Sequence, residues 1–219
     1  MVFSLTGFAR DCRVADPERF AGWCGELFSL LSEVNAHTNL TRITTEAEFA
    51  IKHVADSLAI VKILPGIAEK PWRVADVADV GCGAGFPSLV LAAAFPQLEV
   101  TAIDSTHKKV AFVAEAARKL GLSNLTAVAG RAVELARKPE FQERFDLVTA
   151  RAVAAVKKLF PECRRMIAPG GRMVFYKTPQ QAAELDEMTG CRGFDWRVSP
   201  EFELPENSGA RLFIVGGRV

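Results

Sequence analysis

After residue 71 the chain alternates short β-branched runs with helical segments, and this alternation constrains the fold more than any other feature. Strands and helices alternating at this spacing form βαβ units, which build a parallel sheet. The predicted strands cover residues 74–80, 99–103, 125–128, 145–150 and 172–177, with helices beginning near residues 86, 106, 131, 152 and 179. Two later runs, 192–202 and 211–215, have no helix between them, so an antiparallel hairpin is expected to close the sheet. The predicted fold class is α/β, a Rossmann-like and mainly parallel sheet of seven strands.

An N-terminal helical cap is predicted ahead of this sheet. Apolar residues recur at helical spacing over residues 16–35 and again over 45–64, and Pro65-Gly66 is expected to end the second stretch. A chain of 219 residues without a linker-like segment is expected to form one domain. We therefore assign residues 1–70 to the cap and residues 71–219 to the core of the same unit.

Composition narrows the class of protein. The longest apolar run, residues 89–95, is far shorter than the roughly 20 residues that span a bilayer, and no signal-peptide cleavage site is recognisable, so a cytoplasmic protein with no membrane partner is expected. The five cysteines form no C-x-x-C pair and lie near no histidine at ligand spacing, which predicts reduced thiols and no metal. Because the net charge is only +1, any RNA contact must use a local patch.

A glycine loop follows the first predicted strand and precedes a helix, the context in which such a cluster binds a cofactor. Residues 79–85 read Asp-Val-Gly-Cys-Gly-Ala-Gly, so that Gly81, Gly83 and Gly85 can take positive φ and let a ligand approach the backbone. The spacing is G-x-G-x-G, because Phe86 stands where the dinucleotide-binding pattern G-x-G-x-x-G has its last glycine, and this favours S-adenosylmethionine over a pyrophosphate-containing cofactor.

Two acidic residues complete this predicted cofactor site. Asp104 ends the second predicted strand, 19 residues beyond Gly85, and its two oxygens can accept from both ribose hydroxyls. Asp79 ends the first strand and can either order the glycine loop or reach the ammonium of the methionine moiety. Together these features predict a methyltransferase that uses S-adenosylmethionine.

The residues after the fourth strand restrict the chemistry of the methyl acceptor. Methylation of exocyclic amines commonly uses an Asn/Asp-Pro-Pro-aromatic tetrapeptide, whereas residues 149–152 read Thr-Ala-Arg-Ala. Methylation of pyrimidine carbon needs a thiolate, and no cysteine lies in a motif that suggests one; Cys82 is interpreted as a small filler of the glycine loop. An acceptor with its own lone pair, such as a ring nitrogen, remains, and it needs positioning without a general base.

An ordered set of motifs over roughly residues 20–180 resembles the RsmG (GidB) family of 16S ribosomal RNA guanine-N7 methyltransferases. The motifs are Asn39-Leu40-Thr41, His53-x-x-Asp56-Ser57, Asp79 through Pro87, Asp104-Ser105-x-x-Lys108-Lys109-Val110-Ala111-Phe112, Gly130-Arg131 and Ala150-Arg151-Ala152-Val153. The resemblance implies methyl transfer from S-adenosylmethionine to N7 of guanine 527 in the decoding-region loop. The implied partner is 16S rRNA or the small ribosomal subunit, bound by a monomer.

The resemblance also implies roles for individual residues. Gly81 and Phe86 would line the cofactor pocket, Asp104, Ser105 and Thr106 would hold the ribose and adenine side, and Ala132 and Val133 would flank the adenine. Arg151 would sit between cofactor and RNA as the catalytic, positioning residue. Candidate RNA contacts are Asn39, Thr41, His53 and Lys177.

Some of these residues could instead have a purely structural role. His53 could instead join the cap to the sheet, and Asn39 and Thr41 could satisfy backbone groups of a turn. Most of the dispersed basic pairs could be solvated helix faces; these pairs are Lys108-Lys109, Arg118-Lys119, Arg137-Lys138, Lys157-Lys158 and Arg164-Arg165. Three positions depart from the family pattern: Ser88 replaces Gly, Val133 replaces Glu and Thr178 replaces Gly. Two other functions stay open, a small-molecule methyltransferase on the same scaffold and a non-catalytic RNA-binding protein.

Overall fold

The computed structural model describes residues 3–64, 76–188 and 190–219. The first two residues of the predicted strand 74–80, the predicted Pro65-Gly66 helix stop and the boundary at residues 70 and 71 lie outside these ranges. Among the helices that the structure does describe, none combines the length and apolar character that a bilayer span requires.

The sheet has the predicted architecture. Five parallel strands are joined by an antiparallel pair in the order β3-β2-β1-β4-β5-β8-β6, and a short strand β7 pairs with β8 outside this series. The strands are β1 Asp76–Val80, β2 Glu99–Asp104, β3 Leu125–Ala129, β4 Phe145–Arg151, β5 Ile167–Lys177, β6 Phe194–Val198, β7 Phe202–Glu203 and β8 Ala210–Arg218. The α/β fold class, with seven strands in the main series and a closing hairpin, is therefore confirmed.

The predicted strand 192–202 is wrong as a single element. Strand β6 ends at Val198, and the chain resumes pairing only at Phe202. Ser199 still donates its backbone N–H to Phe213, but Pro200 has no N–H to donate, so the ladder cannot continue through it.

The helices flank the sheet and build the cap. Their bounds are α1 Leu5–Asp11, α2 Pro17–Thr38, α3 Glu46–Phe49, α4 Asp56–Leu58, α5 Ser88–Ala94, α6 His107–Lys119, α7 Ala132–Leu135 and α8 Val156–Cys163. Helix α1 was not predicted; Ser4 caps it by accepting from the N–H of Gly7. After β5 the predicted helix is a 3₁₀ helix, Pro179–Met188.

The second cap helix changes its winding along its length, although the sequence predicts one regular helix over 45–64. Thr45 caps α3, a π-helix follows over Ala50–Ala55, and α4 leads into a 3₁₀ turn, Ala59–Lys62. π-Helical turns are rare and occur frequently at functional sites. This turn carries His53.

The cap and the sheet share one hydrophobic cluster. Helix α2 contributes Phe20, Cys24, Leu27, Leu30 and Leu31 to the same buried cluster as β1 and α5. Two hydrogen bonds also join the cap to the core. Trp23 donates to the carbonyl of Leu120 at 3.3 Å, and Tyr176 donates to the carbonyl of Ser57 at 3.0 Å. The cap therefore packs on the same side of the sheet as α5 and α6.

Candidate active site

The glycine loop leaves β1 in a conformation that requires glycine. The φ angles of Gly81, Gly83 and Gly85 are +73°, +57° and +91°, a region that side-chain-bearing residues rarely adopt. A Cβ on Gly81 would lie 2.4 Å from Cγ2 of Val153, and one on Gly85 would lie 2.4 Å from Cδ1 of Leu89. Both positions thus combine positive φ with close packing.

Asp79 lies beneath this loop, fully buried. Its Oδ2 accepts from the backbone N–H of Ser88 at 3.2 Å and from the Ser88 hydroxyl, and its Oδ1 accepts from the Thr149 hydroxyl at 3.0 Å. Burial raises the pKa of Asp79, while these hydrogen bonds and the charge of Arg151 oppose the rise. Of the two roles predicted for Asp79, the geometry supports ordering of the loop, and Ser88 adds a donor that glycine at this position could not supply.

Asp104 ends β2 and turns its carboxylate toward the loop. Oδ2 accepts from the N–H of Gly83 at 3.0 Å, Oδ1 accepts from the N–H of Thr106 at 2.8 Å, and Nζ of Lys109 lies 3.8 Å from Oδ2. Each carboxylate oxygen has a second acceptor site. Asp104 can therefore hold the loop and still accept from a ligand.

A cleft of about 540 Å³ opens at the carboxyl ends of β1, β2, β3 and β4. It is lined by Val80, Gly81, Ile103, Asp104, Ser105, Thr106, Lys109, Gly130, Arg131, Ala132, Val133, Ala152, Val153, Lys158, Leu159 and Glu162. Open α/β sheets bind ligands at this end. Six residues predicted for the cofactor line it: Gly81, Asp104, Ser105, Thr106, Ala132 and Val133.

Three cations of the cleft lining were missed as site residues. Lys109, Arg131 and Lys158 come from α6, the turn before α7, and α8. The signal in the sequence is that Lys109 and Lys158 belong to basic pairs, most of which were interpreted as solvated helix faces, and that Arg131 belongs to the Gly130-Arg131 motif. Cys82 stays a filler, since it is buried and burial raises the pKa of its thiol far above neutrality.

Phe86 and Arg151 lie outside the residues that line the cleft and belong to a second group, which we call the Arg151 cluster: Arg151, His53, Asp56 and Phe86. Nη1 of Arg151 donates to Oδ2 of Asp56 and to the carbonyl of Lys52, both at 2.9 Å, and Nη2 donates to Nδ1 of His53 at 2.9 Å. The guanidinium lies 5.7 Å from the Phe86 ring centroid. Arg151 is thus bound to the cap, and the glycine loop meets both groups, since Gly81 lines the cleft and Phe86 belongs to the cluster.

The contacts of His53 define its protonation state. Its ring stacks on Phe86 with centroids 4.2 Å apart, and burial together with the charge of Arg151 lowers its pKa to about 3. Because a guanidinium only donates, Nδ1 must accept, and Nε2 must carry the proton that it donates to Oγ1 of Thr41 at 2.9 Å. His53 is therefore neutral, in one tautomer.

The other candidate RNA contacts are dispersed. Asn39 is the left-handed C-cap of α2, with an exposed side chain, whereas Thr41 accepts from the N–H of Ile43 beside His53. Lys177 is only 6% exposed, and its ammonium is bound by Glu184 at 2.8 Å. The structure does not bring Lys177 to the surface, so its predicted RNA contact is not supported by this placement.

A glycine loop after β1, a carboxylate after β2 and a cleft at the carboxyl ends of parallel strands define a Rossmann-like fold of the methyltransferase class. Two solved structures share it. They are a SAM-dependent O-methyltransferase from Thermotoga maritima (TM-score 0.58, 18% identity, 86% of this chain and 71% of that one) and a SAM dependent methyltransferase from Aquifex aeolicus (TM-score 0.52, 19% identity, 72% and 88%).

The family model for rRNA small subunit methyltransferase G (GidB) matches residues 24–194, and the chain belongs to this family. Ribosomal RNA small subunit methyltransferase G of Lactobacillus delbrueckii subsp. bulgaricus is 41% identical over 160 residues, which are 73% of this chain and 66% of that protein. The protein of that name from Staphylococcus epidermidis is 37% identical over 191 residues, 86% of this chain and 77% of its own length. The chain thus spans about two thirds of the Lactobacillus relative.

Proposed function

We propose that this chain transfers a methyl group from S-adenosylmethionine to N7 of a guanine in 16S rRNA, guanine 527 of the decoding-region loop. One observation carries the proposal: the glycine loop adjoins both a nucleoside-sized cleft, which Gly81 lines, and a buried arginine cluster, to which Phe86 belongs. We assign the cleft to the cofactor and the surroundings of Arg151 to the acceptor base. Membership of the family supports rRNA as the substrate.

The residues of the cleft fit S-adenosylmethionine. Gly81 lines the cleft with bare backbone, Asp104 can accept from the ribose hydroxyls, and Val133 and Leu159 offer apolar walls to an adenine. When bound, this cofactor supplies an electrophilic methyl group. The chain's part is to orient it and to exclude water from its reactive end.

Arg151 suits an acceptor of the guanine type. Three of its N–H groups donate to the cap, so its Nε–H and one N–H of Nη2 remain. Guanine carries the acceptor O6 beside N7, whereas adenine carries an amino group there. A donor from Arg151 to O6 would place the N7 lone pair and disfavour adenine, and no proton has to be removed.

The charge of the cleft suits RNA better than a small apolar substrate. Lys109, Arg131 and Lys158 line it, opposed by the carboxylates of Asp104 and Glu162. A pocket for a small apolar substrate would be lined mainly by apolar and aromatic groups. Cations at the rim of a cofactor cleft are suited to phosphate oxygens of a polynucleotide.

The test is to incubate the purified chain with methyl-labelled S-adenosylmethionine and naked 16S rRNA, assembled small subunits or a metabolite extract. Label is expected in rRNA, at one guanine that becomes sensitive to cleavage at N7-methylguanine. Arg151→Ala should lose the labelling with its fold intact, whereas Arg118→Ala, which removes an exposed cation paired with Glu115, should keep it. Label only in the metabolite extract would reject the rRNA substrate.

A further inference from the structure

We infer that His53 and Asp56 are positioning residues that act on the methyl acceptor through Arg151; this inference rests on the function proposed above. Neither residue lines the cleft, and both bind the guanidinium of Arg151 directly. In the sequence, His53 lies 98 positions before Arg151 and Asp56 lies 95 positions before it. The pair of contacts therefore exists only once the cap has packed on the sheet.

The carboxylate of Asp56 balances the charge of the largely buried Arg151 guanidinium. The side chains of Arg151 and Asp56 are 13% and 7% exposed, and their ion pair is 2.9 Å long. Oδ1 of Asp56 lies 3.3 Å from Nε of Arg211 on β8, so one carboxylate stands between two guanidinium groups. If the guanidinium of Arg151 moved away from Asp56, a buried charge would lose its partner, which is costly. The ion pair therefore holds Arg151 in this position.

His53 fixes the second end of the guanidinium. Its Nδ1 accepts from Nη2 while its Nε2–H donates to Thr41, so the ring cannot rotate without breaking both hydrogen bonds. The stack on Phe86 holds the plane of the ring against the glycine loop. A side chain locked in this way can aim the remaining N–H groups of Arg151 at one point beside the loop.

The backbone around His53 is anchored to the sheet. Ser57 donates its hydroxyl to the carbonyl of His53 at 2.6 Å, and Tyr176 of β5 donates to the carbonyl of Ser57. The π-helix also presents the carbonyl of Lys52 to Arg151. Reacting groups need support of this kind, because a misplacement of about 1 Å can cost about a hundredfold in rate.

Two substitutions of His53 separate positioning from packing. His53→Asn places an amide oxygen near the position of Nδ1 and can still accept from Arg151, whereas His53→Gln reaches the position of Nε2 and can contact only Thr41. The single-turnover rate of methyl transfer to small subunits should fall at least about tenfold in His53→Gln and distinctly less in His53→Asn. Cofactor affinity, measured by calorimetry, should stay within about twofold of the unmodified chain in both variants.

Asp56→Asn provides an independent readout, since the amide keeps one acceptor and removes the charge. It should lower the single-turnover rate with unchanged cofactor affinity, and Asp56→Glu should recover part of the loss. Equal rates in His53→Asn and His53→Gln, or rates that follow melting temperature across all four variants, would overturn the positioning role. If the unmodified chain labels no rRNA, the proposed function itself fails and this inference falls with it. If the unmodified chain is active and His53→Asn and His53→Gln react at equal rates, only the inference is rejected.

Discussion

The imidazole of His53 lies flat on the ring of Phe86, with 4.2 Å between the ring centroids and 3° between the planes. Phe49 packs edge-on against both rings, at 5.9 Å and 5.8 Å. The stack joins the π-helix of the cap to the glycine loop of the core. A change in the charge of His53 would therefore act first on Phe86, at the end of the glycine loop.

The first prediction concerns acid stability. The pKa of His53 is lowered to about 3 in the folded chain, against an ordinary value of 6.5. Between these two values the unfolded chain binds a proton that the folded chain does not, so the stabilising contribution is complete above pH 6.5 and is lost as pH falls toward 3. One such proton corresponds to a slope of at most about 1.4 kcal/mol per pH unit.

Urea unfolding between pH 7.5 and pH 4 measures this slope. The unmodified chain should lose stability below about pH 6.5 more steeply than His53→Asn, which has no imidazole to protonate. His37→Asn, at an exposed site near the end of α2, serves as the control and should retain the slope of the unmodified chain. Parallel curves for the unmodified chain and His53→Asn would show that His53 does not carry the effect.

The second prediction concerns the glycine loop. Gly81→Ala introduces a Cβ at φ +73° and 2.4 Å from Cγ2 of Val153, so the loop or the Val153 side chain must shift. We expect a loss of unfolding free energy of about 1–3 kcal/mol and a clear loss of cofactor affinity. Gly22→Ala is the matched control, because nothing lies within 4 Å of its Cβ in helix α2, and it should stabilise the chain by about 0.5–1 kcal/mol. Undiminished cofactor binding by Gly81→Ala would show that close approach to Gly81 is not needed.

The sheet and the predicted cofactor residues could be predicted from the sequence because both depend on residues that are close together in the chain. β-Branched runs determine the strands, and the loop carrying Gly81 lies directly between its strand and its helix. Asp104 could be assigned because β2 follows at a regular interval and parallel strands bring their carboxyl ends to one edge. These relationships need no knowledge of tertiary contacts.

The Arg151 cluster could not be predicted in the same way. His53 and Asp56 stand three residues apart in one motif, but nothing local indicates that both meet a guanidinium at the end of β4. The π-helical winding that carries His53 has no recognisable sequence signal. Lys177 was expected to contact RNA; its ion pair with Glu184 depends on how the 3₁₀ helix folds back over β5.

The third prediction concerns Asp104. Asp104→Ala should weaken binding of S-adenosylmethionine by about 1.5 to 3 kcal/mol, the range for a charge-assisted hydrogen bond. Asp104→Asn should lose less, because the amide oxygen can still accept from the N–H of Gly83 or Thr106. Calorimetry measures both variants, with Glu115→Gln on the exposed face of α6 as the control for removal of a carboxylate. Full affinity in Asp104→Ala would show that the acid is wrongly assigned to the cofactor.

The fourth prediction concerns Ser88, whose hydroxyl donates to the buried carboxylate of Asp79. Since burial raises the pKa of Asp79 in the folded chain, the stability this group provides is greatest in acid and declines as pH rises through the folded-state pKa. Ser88→Ala removes a donor to the charged form and raises that pKa further. The substitution should therefore cost about 1–3 kcal/mol of unfolding free energy, with a larger loss at pH 8 than at pH 5.

Ser29→Ala controls for the loss of a serine hydroxyl, because Ser29 donates only to the carbonyl of Gly25 on the exposed side of α2. Its effect should stay within about 0.5 kcal/mol and should not change with pH. If Ser88→Ala and Ser29→Ala cost the same at both pH values, the Ser88 hydroxyl does not stabilise the Asp79 carboxylate. A pH-dependent loss confined to Ser88→Ala would instead mean that this serine supports the charge beneath the glycine loop, which glycine at the same position could not do.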